Sequence, residues 1–386
     1  MSAAPAPDRN DTDVRALAAL VLAGGAAAPR RHLLQRHRHP AAALGMGLPA
    51  WRDCGLDEAQ CQALRSPDPA RLQCTLDWLA DPGHHLVGWH DADYPPLLRQ
   101  IANPPLALFI DGDPVRLWHP ALAIVGSRAA TAGGCGNARR FAEAFAEAGF
   151  AVASGMAAGI DAAAHEAALE RRAITVAVLG TGPDVPYPRQ HAYLRDRIAA
   201  SGAVVSEHPP GTPPRAGHFP ARNRILAGLA LGTVVVEAAM RSGALITARQ
   251  AAEAGREVFA LPGSIHNPQA RGCHRLIREG ATLVETPAEV TAGIAAAASG
   301  LATALRARLG APIPAREPCA DGTSTPTPPV DPGYHRLWLA LDHDPTGMDS
   351  LIERTGLTAA ELSSMLLVME LDGTVAVEHG RYLRKP

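Results

Sequence analysis

The sequence lacks the patterns that mark a metalloprotein, a secreted protein or a membrane protein. Its six cysteines include no Cys-x-x-Cys pair, so we predict neither a zinc site nor a disulfide framework. No stretch approaches the roughly 18 uninterrupted apolar residues that a membrane-spanning helix needs. The chain begins MSAAPAPDRNDTD, which is polar and acidic where a signal peptide would be basic and then apolar. We therefore predict a cytoplasmic protein with no membrane partner.

Lysine is almost absent, since Lys385 is the only lysine among 36 lysine and arginine residues. The formal net charge of −2 argues against a protein coated in basic side chains, but nucleic-acid binding depends on local charge. Nine arginines lie between residues 212 and 280 and outnumber the acidic residues there. The last 56 residues carry five basic and nine acidic side chains. The positive field is therefore predicted in the middle of the chain.

The glycine-rich signatures of nucleotide-binding enzymes are also missing. Neither the dinucleotide fingerprint Gly-x-Gly-x-x-Gly nor the phosphate-binding run Gly-x-x-x-x-Gly-Lys-Ser/Thr occurs. We therefore predict no NAD, ATP or other cofactor. No metal-ligand spacing or nucleophile–base pair is visible either, so the expected protein is not an enzyme.

Short apolar runs alternate with alanine-rich helical stretches through the middle of the chain. The runs are LAIV (122–125), AVAS (151–154), ITVAVL (174–179), AVVSE (203–207), TVVVEA (233–238), REVFAL (256–261) and TLVE (282–285). Continuously apolar runs are typical of strands buried on both faces, and the stretches between them are long enough for right-handed crossovers. We predict an α/β fold with a doubly wound, mostly parallel sheet, whose site lies at the carboxyl ends of the strands.

Composition divides the chain into four segments. Helically spaced apolar residues predict a small helical domain over 12–80, and the sheet-forming domain follows over 81–298. Residues 299–332 are rich in proline and threonine, which predicts a linker. Over 333–386, three helical stretches, one opening with a Thr-x-x-Glu capping box, and a final hairpin predict a winged helix.

Small residues follow the predicted strands. Gly126, Ser127 and Arg128 follow the first strand, and Ser154 and Gly155 begin a glycine-rich turn after the second. Such turns expose backbone N–H groups and let a phosphate approach the main chain closely. An alternative stays open, in which Gly126 only permits the turn and Arg128 pairs with a nearby carboxylate.

The segment GHFPARNR brings an aromatic ring, two arginines and an amide together in the sequence, at Phe219, Arg222, Asn223 and Arg224. Guanidinium groups bind phosphate and an aromatic ring can stack on bases, so the segment predicts a phosphate-and-base platform. The alternative is that Phe219 belongs to the core and that one arginine is structural.

Seven motifs occur in order across the sheet-forming segment. They are IVGSR (124–128), SGMAAGID followed by AH (154–165), AVLGTGPDVPYP (177–188), SEHPPGTPP (206–214), FPARNRILAGL (219–229), VVVEAAMRSGALITA (234–248) and LPGSIHNPQARGCHRLIREGA (261–281). Together they closely resemble the DprA/Smf family of DNA-processing proteins. The N-terminal helices resemble that family's helix-hairpin-helix-related domain, but GGAAAPR departs from the Gly-hydrophobic-Gly hairpin that grips a DNA backbone.

The resemblance implies an extended Rossmann-like, dimeric domain whose basic pocket binds single-stranded DNA and presents it to the RecA recombinase during natural transformation. It implies Arg128, Arg222 and Arg224 as DNA contacts. A basic residue before the third strand is common in the family, and Arg172 occupies that neighbourhood. With the strand-end residues, the predicted single-stranded-DNA site consists of Gly126, Ser127, Arg128, Ser154, Gly155, Arg172, Phe219, Arg222, Asn223 and Arg224.

Two other function classes remain as alternatives. Rossmann-like nucleotide phosphoribohydrolases carry a Pro-Gly-Gly-x-Gly-Thr-x-x-Glu run, whereas the corresponding strand end here reads VVVEAAMRSG. A winged-helix transcription regulator needs a basic recognition helix, and ELSSMLLVMEL contains neither arginine nor lysine. The sequence therefore favours non-enzymatic binding of single-stranded DNA over both.

Overall fold

The computed structural model describes residues 11–309, 337, 341, 346–371, 374–378 and 381–384. The chain divides into two compact units, residues 1–314 and 315–386. Within the described residues, no helix is both long and apolar enough to cross a membrane.

Helices open the first unit. They are α1 (Asp11–Leu22), α2 (Ala27–His37), α3 (Pro40–Gly45), α4 (Gly47–Asp53), α5 (Glu58–Arg65) and α6 (Pro69–Leu79). The capping box that starts α5 is complete, because Asp57 Oδ1 accepts from the Gln60 backbone N–H at 2.8 Å and Gln60 Oε1 accepts from that of Asp57 at 3.2 Å. Leu33 and Trp51 share one hydrophobic cluster with Phe109 of the sheet. The predicted boundary near residue 80 stays a prediction.

In the described part of the first unit, nine strands form a single sheet. They are β1 (His84–Gly88), β2 (Ala107–Gly112), β3 (Ala121–Val125), β4 (Ala151–Ser154), β5 (Thr175–Leu179), β6 (Ala203–Ser206), β7 (Gly232–Val235), β8 (Glu257–Ala260) and β9 (Thr282–Leu283). Their order is β1-β2-β6-β5-β4-β3-β7-β8-β9. The strands from β3 to β9 pair in parallel, which confirms the predicted mostly parallel sheet. β1 and β2 add an antiparallel edge that the sequence did not predict.

Helices cover both faces of this sheet. They are α7 (Pro96–Arg99), α8 (Ala132–Glu147), α9 (Ile160–Glu170), α10 (Ala192–Ser201), α11 (His218–Leu229), α12 (Gly243–Glu253), α13 (Arg271–Arg278) and α14 (Pro287–Leu309). Phe141 of α8 lies in one buried cluster with Ile124 of β3, and Ile225 of α11 lies in another with Val125 of β3. Consecutive strand residues point to opposite faces, so β3 contributes to both cores.

Helix α14 continues to Leu309, past the predicted start of the linker at residue 299. The segment AAAASGLATALRARL consists mostly of alanine, leucine and arginine, which are good helix formers, and the first proline after it is Pro312. Residues 299–309 are therefore helical, which corrects that boundary. The rest of the predicted linker lies outside the described residues.

The strand order sets the position of the candidate site. The sheet grows from β3 in both directions, because β4 pairs on one side of it and β7 on the other. Open α/β sheets bind ligands in the crevice outside the carboxyl ends of the strands at such a reversal. The turns that follow β3, β4 and β7 therefore border one crevice.

The described part of the second unit contains the last two helices and the final hairpin of the predicted winged helix, together with a short strand that was not predicted. Its described elements are β10 (Thr346–Gly347), α15 (Met348–Thr355), α16 (Ala359–Leu371), β11 (Val375–Glu378) and β12 (Arg381–Arg384). The strands form a sheet in the order β10-β12-β11. The predicted capping box is present, since Glu361 Oε2 accepts from the Thr358 backbone N–H at 2.8 Å. The predicted helix HRLWLALD lies outside the described residues apart from Leu337 and Leu341.

Candidate nucleic-acid interface

A cavity of about 860 Å³ opens at the carboxyl ends of β3 and β7. We call it the carboxyl-edge cavity. Predicted site residues that line it are Gly126, Ser127, Arg128, Phe219, Arg222 and Asn223. These residues are separated by up to 97 positions in sequence, from 126 to 223, and meet because β3 ends and α11 begins at the same edge of the sheet. The structure thus brings most of the predicted site together.

The turn after β3 is held tightly against α9. A Cβ added at Gly126 would lie 2.6 Å from Ile160 Cγ1 and 2.9 Å from the Glu237 carbonyl oxygen, so only glycine fits there. The Ser127 carbonyl accepts a hydrogen bond from the Ile160 backbone N–H at 3.2 Å. The Ser127 hydroxyl accepts one from the Ala129 backbone N–H at 3.1 Å. The next side chain, Arg128, is exposed at the mouth of the cavity.

Arg128 lies over an aromatic surface. Its Cζ atom is 5.6 Å from the centroid of the Phe219 ring, within the range of a cation–π contact. The Tyr187 ring lies beside the Phe219 ring, and the two ring centroids are 5.1 Å apart. Tyr187 is 40% exposed and also lines the cavity. An aromatic ring with an adjacent positive charge can bind a base and its phosphate at once.

Arg222 is buried, in contrast to Arg128. Its Nη1 donates to the Gly155 carbonyl at 2.8 Å and to the Val178 carbonyl, and the residue is 5% exposed. Burial lowers the pKa of Arg222 to about 10, so it stays charged at neutral pH. Asp161 lies in the same region, and its Oδ2 accepts from the Gly155 and Ala157 backbone N–H groups at 3.1 and 3.3 Å. Burial raises the pKa of this carboxyl, while the Arg222 charge and both amides lower it.

Two further predicted residues brace the site instead of facing its cavity. Ser154 is fully buried, and its hydroxyl donates to the Ile124 carbonyl at 2.6 Å, which joins β4 to β3. Gly155 lies directly against the Arg222 guanidinium, and a Cβ there would overlap it. Asn223, which does line the cavity, is 9% exposed, and its Nδ2 donates to the Gly243 carbonyl at 3.4 Å.

Arg224 and Arg172 do not join this group. The Arg224 side chain forms an ion pair with Glu207 and lines a different cavity. Arg172 precedes β5, whereas Arg128 follows the parallel strand β3, so the two lie at opposite edges of the sheet. The sequence grouped both residues with the pocket, and the structure corrects their position. Whether either contacts DNA stays a prediction.

Among the arginine and aromatic residues that line the carboxyl-edge cavity, sequence reasoning did not assign Tyr187, Arg215 and Arg241 to the site. The signal for Tyr187 was its place after the third predicted strand, because the turns after parallel strands share one edge. Arg215 and Arg241 belong to the arginine-rich stretch 212–280, but charge density alone does not say which side chains converge.

Glu237 lies just after β7. It is the carboxylate that would assist catalysis if the protein were a nucleotide phosphoribohydrolase. Its oxygens accept from the Thr131 backbone N–H at 2.9 Å, from the Thr131 hydroxyl at 2.7 Å and from Asn267 Nδ2 at 3.3 Å. Thr131 also caps α8 by accepting from the Gly134 backbone N–H. Glu237 therefore anchors the start of α8. In the part of the chain that the structure describes, no three His, Cys, Asp or Glu side chains group to hold a metal ion.

The chain matches two protein-family models. Residues 85–295 match that of DNA recombination-mediator protein A, and residues 322–381 match that of the DprA winged helix domain. The chain is 40% identical over 335 residues to the protein Smf of Escherichia coli strain K12, covering 86% of this chain and 85% of that protein. It is 47% identical over 202 residues to the DNA processing protein DprA of Streptococcus pneumoniae, covering 52% and 71% respectively.

A solved structure agrees with the fold. The X-ray structure of DNA processing protein A (DprA) from Streptococcus pneumoniae superposes with a TM-score of 0.65 at 36% identity. The superposition covers 74% of this chain and 98% of that one.

The contact between Gly155 and Arg222 gives a stability prediction. Gly155→Ala should displace the guanidinium from its carbonyl partners, and we expect the free energy of unfolding to fall by about 1–3 kcal/mol. Gly136→Ala is the matched control, because a Cβ at Gly136 in α8 meets no atom within 4 Å. That variant should unfold at the same denaturant concentration or gain up to about 1 kcal/mol. Urea denaturation measures both, and equal stability of the two variants would contradict the packing described.

Proposed function

The chain belongs to the DprA/Smf family, and from this premise we propose that its carboxyl-edge cavity binds single-stranded DNA. The observation that carries the proposal is the Arg128 guanidinium above the Phe219 ring, with Tyr187 beside it. Aromatic faces stack on bases of any sequence, and guanidinium groups neutralise phosphates. The faces of paired bases in a duplex are already stacked, so this arrangement favours a single strand.

The charge of the cavity supports the same ligand. Four arginines line it, at 128, 215, 222 and 241, against a single acidic residue, Asp161. Asp161 is directed at backbone N–H groups beside buried Arg222, so it does not cancel the exposed charges of Arg128, Arg215 and Arg241. An anionic strand therefore meets net positive charge there although the whole chain has a formal charge of −2.

The bound strand is then passed to a recombinase. The family model that the chain matches describes a recombination mediator, which supports delivery of DNA to RecA. We assign this role to a homodimer acting in the cytoplasm. The winged helix has an excess of acidic side chains, which would repel phosphate, so it serves protein docking or a purely structural role and not DNA binding.

The protein acts by binding and without catalysis. The rival function, nucleotide phosphoribohydrolysis, needs a glutamate free to assist glycosidic cleavage. Both Glu237 oxygens already accept hydrogen bonds from Thr131, and one also accepts from Asn267. This anchoring role favours the binding function over the enzyme.

Replacing Arg128 tests the proposed contact. Arg128→Ala removes a charge-assisted phosphate contact worth about 1.5–3 kcal/mol, so the affinity for a single-stranded oligonucleotide should fall about ten- to a hundredfold. The slope of log affinity against log salt should become shallower by about 0.7, because one phosphate is no longer neutralised. Fluorescence anisotropy across a salt series measures both quantities.

Arg65→Ala is the control, since it removes the same charge from an exposed position on α5 that does not line the carboxyl-edge cavity. We expect its affinity to change less than about threefold, because an exposed charge far from the strand is screened. A structural role of Arg128 would lower the melting temperature while leaving the affinity of the folded variant unchanged. That result, or equal losses for both variants, would refute the Arg128 contact.

Catalysis is tested with nucleoside monophosphates. Prolonged incubation with the protein should release no free base, as measured by chromatography. Base release that disappears in Glu237→Ala would favour the phosphoribohydrolase instead. Thermal unfolding of that variant is needed in parallel, because Glu237 anchors α8.

A further inference from the structure

A second cavity, of about 950 Å³, lies next to the first. We call it the proline-loop cavity, because the loop 207–213 forms one wall and the N-terminal helices form the other. Its lining includes Gly24, Arg71, His208, Pro210, His218 and Arg224. Arg215 lines both cavities, so they adjoin at this side chain.

The exposed charge in the proline-loop cavity is positive. Its only acidic lining residue, Glu207, is paired with Arg224. Buried Arg30 donates to the Leu20 carbonyl at 2.6 Å and to the Gly25 carbonyl at 2.9 Å, so its donors are used within the fold. Arg71 and Arg215 are exposed. These two guanidiniums are therefore available to an anion from solvent.

A pair of stacked rings forms part of the same wall. The His208 and His218 rings are stacked with centroids 3.9 Å apart and an angle of 18° between their planes. His218 Nδ1 is fixed by the Gly180 carbonyl at 3.1 Å. Burial and the neighbouring His218 lower the pKa of His208 to about 4, so it is neutral at pH 7. A neutral imidazole such as that of His208 can stack on an unpaired base.

The main chain on the opposite wall also permits a close approach. Gly24 has a φ of +67°, and a Cβ added there would meet no atom within 4 Å. The helix α2 that follows begins at Ala27 without a side-chain cap. The backbone N–H groups of Ala27 and Ala28 in its first turn add to the positive character of this wall, whereas Pro29 has none.

We propose that the proline-loop cavity is a second subsite for the same DNA strand, in which Arg71 and Arg215 bind the phosphates that follow the nucleotides in the carboxyl-edge cavity. This inference rests on the proposed function, because the strand in the second subsite is the continuation of the one bound in the carboxyl-edge cavity. It assigns a DNA contact to the N-terminal helices, in which Arg71 belongs to α6.

Oligonucleotide length separates the two subsites. An oligonucleotide of about four nucleotides fills little more than one cavity, whereas one of about sixteen can occupy both. Arg71→Ala in the full chain should weaken binding of the long oligonucleotide about three- to tenfold and leave the short one unchanged. Its salt slope on the long oligonucleotide should fall by about 0.7.

The matched control is Arg65→Ala, which removes an exposed arginine from α5 outside the lining of either cavity. It should bind both oligonucleotides like the wild type. Arg215→Ala should weaken both, because that side chain lines both cavities. All variants are first compared by thermal unfolding.

The outcomes distinguish a failure of the second subsite from a failure of the proposed function. If Arg71→Ala behaves like Arg65→Ala on the long oligonucleotide, or weakens both lengths equally, the second subsite is wrong while the first stands. If Arg128→Ala leaves the short oligonucleotide bound as tightly as the wild type, the proposed function fails and the second subsite fails with it.

Discussion

The candidate site depends on one buried cation, the Arg222 guanidinium. It joins α11 to the ends of β4 and β5 through the Gly155 and Val178 carbonyls. Phe219 lies three residues earlier on the same helix, so it projects on the same side as Arg222, toward the crevice. The position of the Phe219 ring below Arg128 therefore follows from where Arg222 is fixed. A buried charged group must meet its hydrogen-bond partners in one geometry. The Arg222 guanidinium therefore fixes the position of α11 more than it adds to the stability of the fold.

The same helix explains why two arginines close together in sequence have separate roles. Side chains advance by about 100° per residue, so Arg222 and Arg224 point roughly 200° apart around α11. Arg222 enters the core at the crevice, and Arg224 reaches Glu207 beside the proline-loop cavity. Sequence reasoning grouped the two as one platform because it did not assign FPARNR to a helix. The sequence analysis also left open that one of the two arginines is structural, and the buried contacts of Arg222 fit that alternative.

The sheet was predictable because each buried strand appears in the sequence as a short apolar run. Val178 and Val205, for example, belong to uninterrupted apolar runs, and such runs leave few options other than strands buried on both faces. The site was only partly predictable. Arg128 follows directly from a strand end, whereas Tyr187 and Arg241 reach the cavity through turns whose course depends on tertiary packing. The antiparallel edge formed by β1 and β2 was missed because prolines interrupt the segment before β2.

We infer that the crevice recognises unpaired bases together with phosphates, and not phosphates alone. Titration of the full chain with a single-stranded oligonucleotide and with its duplex, followed by anisotropy across a salt series, tests this most directly. We expect the single strand to bind more tightly at every salt concentration, because only its bases can stack on Phe219 and Tyr187. Equal or tighter binding of the duplex at moderate salt would contradict it.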